Sequence, residues 1–78
     1  MRKVKIKASI EAHIDSYTKL KIKVLSGEIE VKFFEDMFGK SFIQTMNSMQ
    51  NEILFDVKGY IKYEIKPISI AEIEYKLI

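Results

Sequence analysis

The chain has 78 residues, 47% hydrophobic and 31% charged, with a formal net charge of +2 and no cysteine. That length makes one domain, 1–78, near the lower limit for a single core without staples, and the missing cysteines exclude disulfides, thiolate metal sites and cysteine nucleophiles. No apolar run approaches the ~20 residues of a membrane-spanning helix, and the opening Met-Arg-Lys-Val-Lys-Ile-Lys lacks the apolar centre of a signal peptide, so a cytoplasmic protein without membrane contact is expected.

The first element, 4–14, alternates without a miss. Val4, Ile6, Ala8, Ile10, Ala12 and Ile14 stand against Lys5, Lys7, Ser9, Glu11 and His13, which predicts one long strand with an apolar and a wet face. A turn cluster, Asp15-Ser16-Tyr17-Thr18, follows. Leu20, Ile22 and Val24 then alternate with Lys19, Lys21 and Lys23, and Ile29, Val31 and Phe33 with Glu28, Glu30 and Lys32. A two-residue Ser26-Gly27 hairpin would set Val24 opposite Ile29, Ile22 opposite Val31 and Leu20 opposite Phe33, with Lys23 beside Glu30 outside. Pairing Ile14 with Leu20 extends this to a three-strand meander with one apolar face. Such a face needs a cover.

The period then changes. Phe34, Met37, Phe38, Phe42, Met46 and Met49 recur three or four residues apart, and Ser41-Phe42-Ile43-Gln44 fits a capping box. The spacing predicts a helix over about 41–51 that plugs the open end of the sheet. After it the period returns to two. Ile53, Phe55, Val57, Gly59, Ile61, Tyr63 and Ile65 predict a long strand bent at Gly59. Lys66-Pro67 marks a turn, and Ile68, Ile70, Ile73, Tyr75 and Leu77 predict a last strand with a β-bulge at Ala71-Glu72.

The order β-β-β-α-β-β, with the ending Val57-Lys58-Gly59-Tyr60 … Ile68-Ser69-Ile70 … Ile73, resembles the OB-fold, a small five-stranded Greek-key barrel with a helix between strands three and four. The alternative is an SH3-like or other partly open barrel. Ile10, Ile22, Val31, Val57 and Ile70 are expected to share one interior.

No catalytic set, cofactor or metal site is expected. His13, the only histidine, lies near Glu11 and Asp15, but one imidazole with two acids at strand spacing lacks a convergent set of ligands, and a solvated strand residue is the reading adopted. Glu35-Asp36 and Glu72/Glu74 read as solubilising acids. There is no P-loop, dinucleotide glycine pattern or Gly-x-Ser-x-Gly elbow. A non-enzymatic binding module follows.

Charge suggests a ligand. Residues 1–25 carry seven basic residues against two acids, whereas 26–78 carry six against nine. OB-folds commonly hold single-stranded nucleic acid across strands two and three and the flanking loops. The resemblance thus implies a DNA- or RNA-binding surface of Lys19, Lys21, Lys23 and Lys32, with Tyr17 and Lys66 in the loops. Against it, no aromatic platform lies at the centre of that face. The alternative is a protein-interaction or homo-oligomeric module, pairing through the C-terminal strand Leu77-Ile78 or through a patch of Leu25, Phe34 and Leu54.

Overall fold

The computed structural model describes residues 2–15, 19–35, 41–50 and 52–78. Eight strands follow one another: β1 (Arg2–Ile6), β2 (Ile10–His13), β3 (Lys19–Ser26), β4 (Glu28–Phe34), β5 (Ser41–Asn47), β6 (Glu52–Asp56), β7 (Lys62–Pro67) and β8 (Ala71–Leu77). They form two four-stranded sheets, sheet I in the order β1-β8-β3-β6 and sheet II in the order β2-β7-β4-β5. All pairings are antiparallel.

One rule generates the topology. β1 pairs with β8, β2 with β7, β3 with β6 and β4 with β5, so the chain is a single antiparallel ribbon doubled back between β4 and β5. The ribbon is rolled until β8 also meets β3 and β7 meets β4. This is the strand order of a jelly roll, eight strands in two layers. Every connection except β4–β5 passes from one sheet to the other.

Within the strands the alternation gives the inward face but not the neighbours, and Ala8, Ile68 and Ile70, which fall in turns, are exposed. The expected strand 4–14 is two strands, β1 in sheet I and β2 in sheet II, broken at Lys7-Ala8-Ser9; Val4, Ile6, Ile10, Ala12 and Ile14 still pack into the core. Likewise Ser26-Gly27 does not close a hairpin. β3 and β4 lie in different sheets, so Leu20, Ile22 and Val24 bury from one layer and Ile29, Val31 and Phe33 from the other. The turn is tight because Gly27 has φ +80° and a Cβ there would lie 2.4 Å from the Ile70 carbonyl oxygen.

Residues 41–51 are not the expected helix. Ser41–Asn47 pairs residue for residue with β4, and only Ser48–Gln50 forms a single 3₁₀ turn. The three-and-four spacing came from residues of separate elements: Phe34 ends β4, Phe42 and Met46 point inward from β5, and Met49 is 92% exposed on the turn. Met37, Phe38 and Asn51 lie outside the described residues. With Phe42, Ile43 and Thr45 in the segment, strand propensity and a ladder with β4 outweigh the pattern.

The later half is corrected in the same way. The long strand 53–65 is cut by a turn in which Tyr60 N donates to Val57 O at 3.1 Å and Gly59, φ +97°, supplies the positive dihedral. Ile68 and Ile70 belong to a turn rather than a strand, and Ile70 is 60% exposed, so it does not join Ile10, Ile22, Val31 and Val57 inside. That turn is held by Glu28, whose carbonyl accepts from Ile68 N at 2.9 Å and whose N donates to Ser69 Oγ at 3.1 Å. The inward row of β8 is simply Ala71, Ile73, Tyr75 and Leu77. The bulge lies opposite, on β3, where Leu25 is the extra residue between Val24, paired with Ile73, and Ser26, paired with Glu72.

The result is a two-layered sandwich with four edges, β1, β6, β2 and β5, not a closed five-stranded barrel. Its centre is Phe33, 4.9 Å ring to ring from Phe55 of the other sheet and 5.5 Å from Tyr60. Among the described residues no charged side chain is buried, and Tyr63 brings the one phenol into the core.

Candidate functional site

The expected ligand surface is divided between two faces that point in opposite directions. Lys19, Lys21 and Lys23 project from β3 on the outer face of sheet I, whereas Lys32 on β4 and Lys66 on β7 project from sheet II. Tyr17 lies outside the described residues.

On sheet I the lysine row stands between acidic neighbours. β3 is flanked by β6, which presents Glu52 and Asp56, and by β8, which presents Glu74 level with Lys23 but Lys76 level with Lys21. Lys21 Nζ lies 3.0 Å from Glu52 and Lys19 Nζ 3.8 Å from Asp56, while Lys23 is level with both Glu52 and Glu74. Ion pairs this exposed stabilise by no more than ~1 kcal/mol. They matter because they lower the field that three aligned lysines would set up. Strands β3, β6 and β8 offer no aromatic side chain on this face; Leu54, 55% exposed, is the large apolar residue there.

Sheet II carries the aromatic that sheet I lacks. Phe34 ends β4 facing outward, with Lys62 Nζ 4.6 Å and Lys32 Nζ 5.0 Å from its ring centroid. Contacts of this type contribute about 0.5–1 kcal/mol each at exposed sites. Lys62 Nζ also donates to Glu11 Oε1 at 2.8 Å. That hydrogen bond, reinforced by the ammonium charge, holds the Glu11 carboxyl below its ordinary range. His13 projects from the same edge strand, level with Lys62. The neighbouring Glu11 carboxylate is thus engaged by a lysine. Lys66 stands level with Glu30, and Lys32 with Glu64.

A third surface went unread in the sequence. β5 forms the edge of sheet II, with a ladder to β4 on one side. It bears no charge, and residues 41–51 are the longest stretch of the chain without Asp, Glu, Lys or Arg. The other three edges are guarded, β1 by Lys5, β2 by Glu11, and β6 by Glu52 and Asp56. Charged residues are the usual protection of an unpaired edge. On β5, Phe42 and Ile43 are 47% and 52% exposed. The uncharged run is visible in the sequence, but the helical spacing of its apolar residues points away from an edge strand. The last strand, by contrast, is no edge: β8 lies between β1 and β3.

Among the described residues no three His, Asp or Glu converge as a metal site, and no helix is long and apolar enough to cross a membrane. Comparison with protein-family models, curated proteins and solved structures finds no match for this chain.

Proposed function

We propose that the protein is a non-enzymatic cytoplasmic module that works by protein–protein contact, accepting a strand along the free edge of β5. The observation that carries this reading is the contrast among the four sheet edges: β5 alone is uncharged, and its exposed side chains are apolar or β-branched. An edge offers a row of backbone donors and acceptors, and strand addition draws affinity from those bonds whatever the partner's sequence. The test uses an end-capped peptide of alternating Thr and Val added to dilute isotope-labelled protein. Amide shift changes confined to β5 and its neighbour β4 are the expected result. Unmoved β5 resonances at saturating peptide would sink the reading.

A second reading, single-stranded DNA or RNA, draws on Phe34. An aromatic ring beside Lys32 and Lys62, with Lys66 further along the same face, has the parts of a small stacking site. Its ring is already covered by the lysines, and Glu11, Glu30 and Glu64 stand among them. An oligothymidylate titrated at low salt in the same experiment separates the two. Shifts centred on Phe34 that vanish with added salt would favour nucleic acid over a strand partner.

A further inference from the structure

β5 has a second property that a merely bare edge would not need. Its sequence, Ser-Phe-Ile-Gln-Thr-Met-Asn, presents the same order of side-chain types from either end. A small polar residue is outermost, then a large apolar one, then a β-branched one, with Gln44 at the centre.

We infer that β5 pairs antiparallel with β5 of a second copy of this chain, about a two-fold axis at Gln44. This rests on the edge-contact reading above and names the partner. Gln44 then meets the partner's Gln44, Ile43 the partner's Thr45, Phe42 the partner's Met46, and Ser41 the partner's Asn47. A two-fold interface brings one patch against itself, so every residue must tolerate its symmetry mate. Here each pair is alike: amide with amide, β-branched with β-branched, aromatic with thioether, polar with polar. Moving the axis by one residue destroys the match. Centred on Ile43 it sets Phe42 against Gln44; centred on Thr45 it sets Gln44 against Met46. The joined second sheets of the two copies form one continuous eight-stranded sheet.

β6 shows why a similar pattern fails elsewhere. Glu52-Ile53-Leu54-Phe55-Asp56 is also symmetric, about Leu54, but its ends are acids that a two-fold axis would bring together. Those acids are committed to Lys21 and Lys19. Only β5 combines symmetry with neutrality.

Two measurements test the register. Sedimentation equilibrium of the full chain is expected to give twice the 9.2 kDa mass as concentration rises. In the inferred register residue 43 of one copy faces residue 45 of the other. The double variant Ile43→Glu/Thr45→Glu sets like charges opposite each other and is expected to be monomeric. Ile43→Glu/Thr45→Lys sets opposite charges together and is expected to restore the dimer. Both positions are exposed, so the fold tolerates either pair. The chain has no cysteine of its own, which permits a second reading of the axis. Directly opposed residues of an antiparallel pair have Cα atoms about 4.5–5.5 Å apart, within disulfide reach. Gln44→Cys should therefore crosslink to itself under mild oxidation, and Ile43→Cys and Thr45→Cys should not. A wild-type chain that stays monomeric, a dimer indifferent to the first double variant, or crosslinking strongest away from Gln44 each overturns the inference. A monomer whose β5 still binds the Thr-Val peptide would overturn only the copy-to-copy pairing. A monomer that ignores the peptide would take down the edge reading as well.

Discussion

Gly27 and Gly59 both have positive φ, yet they differ in what surrounds them. At Gly27 an added Cβ would meet the Ile70 carbonyl oxygen at 2.4 Å and the Ala71 Cα at 2.8 Å, backbone atoms that cannot step aside. At Gly59 nothing lies within 4 Å. Gly59→Ala carries only the left-handed penalty, and about 1–2 kcal/mol of lost stability is expected. Gly27→Ala adds a clash at the crossing of two sheet-to-sheet turns, and a loss above ~3 kcal/mol is expected by urea denaturation. Equal losses would contradict the close approach of those turns. Tyr63 offers a test by pH. Burial, with a smaller contribution from Tyr75, raises the pKa of its phenol above the ordinary 10.0. The folded state therefore favours the neutral phenol. Its contribution to stability is full below pH 10 and is lost as pH rises from there through the folded value. Tyr63→Phe should accordingly lose less stability than the wild type between about pH 8 and about pH 11, read from urea midpoints.

β5 anchors its inward row to the core through one fully buried side chain. Of its inward row Phe42, Gln44 and Met46, only Met46 is fully buried, while Phe42 stacks on Phe33 at 6.4 Å from a half-open position. Met46→Ala is expected to destabilise by about 2–5 kcal/mol and to speed amide exchange in β5 before other strands. Uniform exchange across all eight strands would show that β5 is no separate unit. This element also shows what the sequence could and could not disclose. A period of two reveals which side chains turn inward, because that depends on the strand alone. It is silent on which strand lies alongside, because a neighbour is chosen by the path of the chain through space. Ser26-Gly27 has the composition of a hairpin and serves as a crossing between layers; the backbone of Ile70 and Ala71, over forty residues away, decides the matter. The helix at 41–51 arose because residues of three elements happened to fall at helical intervals. The lysine surface failed as a unit for the same reason that the hairpin did: Lys23 and Lys32 are close in the chain and lie on opposite outer faces.

The nested pairing also governs how the fold assembles. Only β4 and β5 are joined by a hairpin; each outer rung of the ribbon closes a longer loop than the one inside it. Non-local strand pairing of this sort folds slowly for its size. Phe33 lies at the inner end of that ribbon, in β4, and touches Phe42, Phe55 and Tyr60. It is therefore the natural place for the two layers to find each other. At the opposite extreme of the ribbon, β1 runs against β8 with Arg2 beside Tyr75, so the first and last strands leave the sandwich at the same end. A load drawn between the two ends would pull across those rungs rather than along them, breaking them singly, from the rim inward. Pairing in this geometry yields to tension like a zip.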